Sequence, residues 1–407
     1  MFDKKPKLLS IDDSHLIRVS DSNQEIFELY SNLNSINDGG KDDEDGSALG
    51  FLDSQASILS IQIEVQDPST KSRNNLLIKK NNSNNDGADD SNHTRDKKGK
   101  IKRLKNRRTI DSESYRSSEH QKGRLIQANI YQDIQSIHHR RGDTGSILWR
   151  STLHLSQLLW YDLLYPPPSN DSQSTKTLLD MSLLITDTRI LELGSGTGSL
   201  AILCDSMFPK DSSSSSSSST LSSRTTRPKP VFNPSSTTWT LSDRSDQLQT
   251  IVKNFRLNCS TPNIPDRYTI QEIDWLEVEK AWSRRRSKID ANQKDISPSS
   301  SIFAEFNGEG FDLILVVDCI YHENLILPLI RTIDHLSKPS NDSSSATLVL
   351  VVSELRSHEI SELFISSWLD LHDWNIFRIN SQKLRNDIVD LKMAKPRYAI
   401  WCGWKKN

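Results

Sequence analysis

The segment RILELGSGTG, Arg189–Gly198, constrains the chain more than any other. A short apolar run meets glycines at 194, 196 and 198, and SLAILCDSMF (Ser199–Phe208) follows. Glycine tolerates the positive φ and close backbone approach that a tight strand-to-helix turn demands. The spacing therefore predicts a strand, a turn and a helix. Alternation of the same kind continues downstream. TTWTLSD (Thr237–Asp243), YTIQEIDW (Tyr268–Trp275), FDLILVVD (Phe311–Asp318) and ATLVLVVSEL (Ala346–Leu355) read as strands, the last two apolar enough to be buried on both faces. QLQTIVKNFRLN (Gln247–Asn258), NLILPLIRTIDHL (Asn324–Leu336, kinked at Pro328) and SHEISELFISSWLDL (Ser357–Leu371, Ser357 as N-cap) read as helices. WNIFRI and RYAIWCGWK alternate and predict a closing hairpin, and Ser146–Leu164 predicts an amphipathic helix ahead of the first strand. Strands alternating with helices imply an α/β, doubly wound, mostly parallel sheet with an antiparallel last strand.

Composition sets the limits of that domain. Of 407 residues 34% are apolar, and the 15 glycines bring this to about 38%, below the ~45–50% of a compact chain. The polar excess falls in three places. Two are insertions, 209–236 around the serine run Ser212–Ser219 and 283–309. The third is an N-terminal extension, 1–129, expected to be partly disordered, with a short helix at Phe27–Leu33, a strand at Ser57–Val65 and a basic run at Lys97–Arg108. The domain built around the glycine turn would then span 130–407. The basic run reads as a solvated loop, or as a nuclear-import or RNA-contact patch. Lys+Arg 51 against Asp+Glu 53 leaves a net charge of −2, which argues neither for a nucleic acid nor for an acidic tail. There is no apolar run of ~18 residues and no secretory h-region. The four cysteines, Cys204, Cys259, Cys319 and Cys402, form no C-x-x-C pair, so neither a zinc site nor a disulfide framework is expected.

The ligand follows from what flanks the glycines. A dinucleotide fingerprint wants a third glycine where Ser199 stands, and no Walker lysine is present. Glu192 lies two residues before Gly194. A carboxylate there repels pyrophosphate and suits a ligand carrying an ammonium and a sulfonium, which is S-adenosylmethionine. Asp243 ends the second strand, 51 residues after Glu192, the serine-rich insertion accounting for the excess. A carboxylate there can accept from both ribose hydroxyls; it can equally cap the following helix. Asp274 and Trp275 end the third strand, where an acid meets the exocyclic amine and a ring stacks on adenine; the alternative for Trp275 is plain core. The fourth strand ends in Asp318-Cys319-Ile320-Tyr321, a D-x-x-Y at the place of the transferred methyl. Asp318 can orient an amine by side chain or backbone, and Tyr321 can offer ring and hydroxyl to a cation; the alternative is a helix cap with a packed tyrosine.

The set G-x-x-x-W (Gly145 to Trp149), ILELGSGTG, TLSD, IDW, VVDCIY and SELRS resembles the seven-stranded protein-lysine methyltransferases, and most of all the fungal ribosomal ones. The resemblance spans about Ile130–Lys405. It implies a class I, Rossmann-like seven-stranded fold and S-adenosylmethionine as cofactor. It also implies cofactor contacts from Trp149, the backbone of Gly194, Ser195 and Gly196, Asp243, Trp275 and Val317, beside Glu192, Gly198 and Asp274 above. Asp318 and Tyr321 would face the lysine. A large-subunit ribosomal protein would be the substrate, with no membrane, metal or direct nucleic-acid substrate, in a monomer of cytosol or nucleus. Two other functions compete. A nucleic-acid amine methyltransferase carries N/D-P-P-Y, and here Cys319 and Ile320 replace both prolines. A non-catalytic ribosome-associated module keeps the fold without the chemistry.

Overall fold

The computed structural model describes residues 5–37, 50–53, 55–68, 76–80, 123–135, 144–167, 177–208, 236–259, 263–290, 310–338, 346–388 and 391–406. Its main sheet contains β1 (Leu16–Arg18), β5 (Arg189–Leu193), β6 (Thr238–Asp243), β7 (Tyr268–Glu272), β8 (Leu313–Val317), β9 (Leu348–Glu354), β10 (Trp374–Ile379) and β11 (Tyr398–Lys405). The order is β1-β10-β11-β9-β8-β5-β6-β7. β7, β6, β5, β8 and β9 pair in parallel, and β11 runs antiparallel between β9 and β10. Seven of these strands answer the sequence reading. The eighth, β1, pairs antiparallel with β10 at the sheet edge. At three residues it is too short to carry a period-2 signature of its own.

Both faces are covered because β8 is apolar at every position and β9 over its first five residues. β8 and β9 are buried throughout. Leu191, Ile314 and Val316 face α1 (Ser22–Asn37), α6 (Trp275–Asp290), α7 (Glu323–Leu336) and α8 (His358–Leu369), whose Ile26, Val278, Ile330 and Phe364 share their core. Ile190, Leu313 and Leu315 turn the other way, towards α2 (Arg150–Leu164), α3 (Met181–Thr186), α4 (Ser199–Cys204) and α5 (Ser245–Asn258). The alternation is the ordinary pleat of a strand. Helix α8 is capped by Ser357, whose Oγ accepts from Ile360 N at 3.3 Å, as read from the sequence. Helix α7 runs on through Pro328, at the loss of the one bond its missing N–H would give. Helix α2 begins at Arg150, later than Ser146, because Trp149 is extended (φ −95°, ψ 145°).

The N-terminal segment belongs to the same core. β2 (Ile58–Val65) pairs antiparallel with β3 (Leu76–Lys80) and β4 (Arg124–Tyr131) in a second sheet. Leu59, Ile61 and Ile63 of β2 and Ile126 and Ile130 of β4 join the cluster that holds α2 and α5. The free edge of β4 is paired by side chains. Asn254 Oδ1 accepts from Tyr131 N at 2.7 Å and its Nδ2 donates to Tyr131 O at 3.0 Å. One turn on, Asn258 does the same for Asn129, at 2.8 Å in both directions. Two asparagines at i, i+4 on one helix thus stand in for a strand. At the other end of the sheet, Glu25 on α1 accepts from Arg378 Nε (3.0 Å) and Trp401 Nε1 (2.8 Å), fixing α1 against β10 and β11. The boundary expected at 129/130 falls inside β4. Of the two insertions, 209–235 and 291–309 lie outside the described residues, as does the basic run; residues 283–290 continue α6.

Candidate functional site

A cleft of about 940 Å³, counted out to its mouth, lies beyond the carboxyl ends of β5, β6, β7 and β8. This is the topological switch point of the sheet, where β5 lies between β6 and β8. All the residues singled out above except Gly198 line it: Trp149, Glu192, Gly194, Ser195, Gly196, Asp243, Asp274, Trp275, Val317, Asp318 and Tyr321.

The glycine turn is built for close approach. Gly196 has φ +54°, and a Cβ there would stand 3.0 Å from the carbonyl oxygen of Gly145. Ser195 ties the turn to β6: its Oγ accepts from Ser242 N (3.0 Å), and its N donates to Ser242 O (2.9 Å). Gly198 plays a different part from the one expected. It caps α4 in the left-handed region (φ +70°), and a Cβ would meet Ile251 Cγ2 at 2.9 Å. It seats α4 against α5 and does not touch the cleft.

Asp243 is half-buried at the end of β6. Its Oδ2 accepts from Gly196 N and its Oδ1 from Arg244 N, both at 2.8 Å. Each carboxylate oxygen has two acceptor sites, so one on each is left for a vicinal diol. The capping alternative is not realised, for α5 starts after Arg244 and takes no bond from Asp243. Burial raises the Asp243 carboxyl to about 6, against the pull of the two backbone N–H groups. Glu192 is buried, and its Oε2 has no hydrogen-bond partner. Burial raises it to about 8; the Trp239 indole opposes the rise and the charge of Asp243 adds to it.

Asp274 and Trp275 stand differently from the sequence reading. β7 ends at Glu272, and Trp275 opens α6. The reason is Asp274, whose Oδ1 accepts from Leu276 N at 2.9 Å and starts the helix. Trp275 still reaches the cleft, its ring 3.1 Å from where a Gly194 Cβ would sit. Trp149 also lines the cleft, and its Nε1 donates to Thr144 O at 2.9 Å.

The D-x-x-Y turn divides its duties. Asp318 has φ +61°, a region unfavourable for a non-glycine residue. Its carboxylate is fully buried and already engaged: Oδ1 accepts from Glu354 N (3.2 Å) and Arg356 Nη1 (2.9 Å), and Oδ2 from Arg356 Nη2 (2.5 Å). Burial holds its carboxyl above the ordinary carboxylate value, against the pull of Arg356. Of the two routes open to Asp318, side chain or backbone, the backbone is the one not already bonded to arginine. Burial pushes the Tyr321 phenol to about 12, a bond with Thr144 opposing it. Tyr321 therefore stays protonated at neutral pH. Cys319 packs under Gly194, its Sγ 3.3 Å from Leu193 O.

Sequence spacing did not reveal Thr144, Gln247, Leu276 or Leu325, which also line the cleft, or Arg356 behind it. Only SELRS, among the resemblance motifs, carried Arg356, without a role. Among the described residues no cluster of His, Cys, Asp and Glu could hold a metal, no helix is long and apolar enough to cross a membrane, and all four cysteines are free thiols.

The strand order, with antiparallel β11 inserted between β9 and β10 and an acid-glycine turn at the switch point, defines a class I methyltransferase fold. A family model described as lysine methyltransferase matches residues 293–369, a stretch that takes in β8 through α8 and so holds the D-x-x-Y turn and Arg356. A search of curated proteins gives no match. Among solved structures, a protein of Streptococcus mutans assigned as a SAM-dependent methyltransferase aligns at 9% identity and TM-score 0.33, over 69% of this chain and 53% of its own. This chain thus spans about half the length of that structure. Fibrillarin of Aeropyrum pernix, in complex with natively bound S-adenosyl-L-methionine, aligns at 12% identity and TM-score 0.29, over 54% of this chain and 67% of its own. Precorrin-6y C5,15-methyltransferase of Geobacter metallireducens aligns at 11% identity and TM-score 0.27, over 55% and 86%.

Proposed function

We propose that the protein is an S-adenosylmethionine-dependent protein-lysine N-methyltransferase, acting on a large-subunit ribosomal protein. The observation that carries the reading is one cleft shared by two turns. The first, with Glu192, Ser195, Gly196 and Asp243, suits a nucleoside bearing a cationic amino-acid arm. The second, Asp318–Tyr321, lies beside it on the neighbouring strand. Three features fit the cofactor: the orphaned, buried Glu192 Oε2, the spare acceptor sites of Asp243, and a glycine turn without side chains in the way. The match of the lysine methyltransferase model over β8–α8 supports lysine as acceptor, and the sequence resemblance to fungal ribosomal methyltransferases supports a ribosomal protein.

S-adenosylmethionine, when bound, supplies a methyl group made electrophilic by its sulfonium. The chain's own part is alignment and exclusion of water. Asp243 would hold the ribose, Trp275 and Asp274 would flank the adenine, and Glu192 would balance the positive charge of the methionine arm. The backbone of Val317 would lie along the adenine or methionine side of the cofactor, and the backbone of Asp318 would meet the amine. Tyr321 would give it a ring face and a neutral hydroxyl. Because Tyr321 titrates near 12, it does not act as a base at neutral pH. The amine loses its proton to water before it docks.

The test is incubation of the protein with methyl-labelled S-adenosylmethionine and a fungal large-subunit ribosomal protein fraction. Label on a lysine, resistant to RNase, is the expected result. Label on RNA would favour a nucleic-acid amine methyltransferase. Calorimetric binding of the cofactor without any transfer would leave a binding module.

A further inference from the structure

One side chain holds the D-x-x-Y turn and has no part in the reaction described so far. Arg356, two residues past β9, grips Asp318 with two near-parallel bonds, at 2.9 Å and 2.5 Å. The same guanidinium reaches Glu354 Oε2 at 3.2 Å and lies 4.7 Å over the ring of Trp149. A Cβ on Gly50 would stand 2.3 Å from its Nη2, so the N-terminal segment closes directly over it. That segment is fixed there by backbone bonds from Arg150 N to Gly50 O (3.0 Å) and from Leu52 N to Leu148 O (3.4 Å). β8, β9, the start of α2 and the N-terminal segment all meet at this one group.

The charges around the turn nearly cancel. The carboxylates of Asp318 and Glu354 are wholly buried, and Arg356 and Arg397 pair with them. Tyr398 from β11 faces the same pair, and Arg150 from α2 lies near Tyr398. From the cofactor side come Glu192, Asp243, Arg244 and Tyr321 itself. An ammonium arriving at Asp318 finds its charge already matched by a guanidinium in fork geometry, which a carboxylate favours over a lone ammonium.

We propose that Arg356 is a positioning residue for methyl transfer: by occupying Asp318 it leaves no unpaired anion for an ammonium, so the acceptor site selects the neutral amine that can attack. This rests on the lysine-methyltransferase reading above. A cation held beside an amine lowers that amine's affinity for a proton, and removing the cation raises it. Without Arg356 the carboxylate of Asp318 would be exposed to the lysine and would hold it as an unreactive ammonium.

The experiment compares wild type, Arg356→Gln and Arg356→Lys. The probes are labelled S-adenosylmethionine and the ribosomal protein fraction at limiting concentration, with initial rates from pH 6.5 to pH 10. S-adenosylhomocysteine affinity is measured by calorimetry in parallel. Wild type is expected to reach half its plateau well below the ordinary lysine value of ~10.4. Arg356→Gln should shift that midpoint up by about one pH unit or more, slow transfer about tenfold at pH 7.5, and recover towards wild type at pH 10, with cofactor affinity unchanged. Arg356→Lys keeps the charge and loses the fork, so its midpoint should stay while its plateau falls. A Gln variant slowed equally at every pH, or not slowed at all, overturns the proposal. Should the Gln variant fail to fold, an upward-shifted midpoint in the Lys variant overturns it. If wild type labels no protein, the functional reading fails first and this one with it. If wild type labels its substrate, only the role of Arg356 is at stake.

Discussion

Replacing Glu192 with glutamine should make the free protein more stable and its cofactor binding weaker. Glu192 is buried without a partner for Oε2, and burial lifts its carboxyl from an ordinary 4.5 to about 8. Between those values the folded chain keeps a proton that the unfolded chain has released. Stability from this group is therefore complete below pH 4.5 and drains away as pH rises through about 8. Each pH unit in that window costs about 1.4 kcal/mol, and the whole loss above it approaches about 5 kcal/mol. A glutamine side chain at this position has no proton to lose. Urea unfolding at pH 5.5 and pH 7.5 reads this as a difference of differences: relative to wild type, Glu192→Gln should gain about 3 kcal/mol between the two pH values. The other raised carboxyls, Asp162 and Asp243 among them, are present in both proteins and cancel. In exchange, calorimetry should show the cofactor bound about 30-fold more weakly, as befits a lost charge-assisted contact of about 2 kcal/mol. A wild-type-to-variant gap that stays flat with pH would refute the reasoning, since it would mean the carboxyl is ionised and solvated in the folded state.

Asp243→Ala should weaken S-adenosylhomocysteine binding about 100-fold in calorimetry, since two hydrogen bonds to a charged acceptor go together; unchanged affinity would remove Asp243 from the ribose site. Wild-type affinity should itself fall as pH drops through about 6, where Asp243 protonates and stops accepting from both hydroxyls. Tyr321→Phe should keep cofactor affinity and lose transfer about tenfold or more, as for a group acting only on the aligned amine; full activity would leave the ring alone at work. Asn254→Ala strands the backbone of Tyr131 and the carbonyl of Thr197, all bonded to Asn254 at 2.7–3.0 Å. It should cost about 3 kcal/mol in urea unfolding, and a loss under 1 kcal/mol would show that β4 does not depend on α5.

Much of the site was legible because its signals are local. Glu192 and the three glycines lie within seven residues of one strand-turn-helix unit. Where backbone must turn sharply at positive φ, the sequence has little choice but glycine. Asp243 ends an alternating β-branched strand and the D-x-x-Y turn ends an apolar one, and in a doubly wound sheet ligands bind beyond the carboxyl ends of such strands at the switch point. Gly198 serves two needs at once, a left-handed cap and close helix packing. The second depends on Ile251, 53 residues away. Trp275 was read into β7 because its neighbours alternate, while a capping bond from Asp274 had already begun a helix.

By itself the sequence determined the parallel core, the antiparallel closing hairpin and the acid-glycine pocket, because each rests on the periodicity or conformational freedom of a few contiguous residues. Only the tertiary structure decided that a three-residue N-terminal strand extends the sheet, that Asn254 and Asn258 complete the edge of β4, and that Arg356 takes the carboxylate of Asp318. Those outcomes are set by partners tens to hundreds of residues apart, and hydrogen bonds between such partners leave no period in the chain to read.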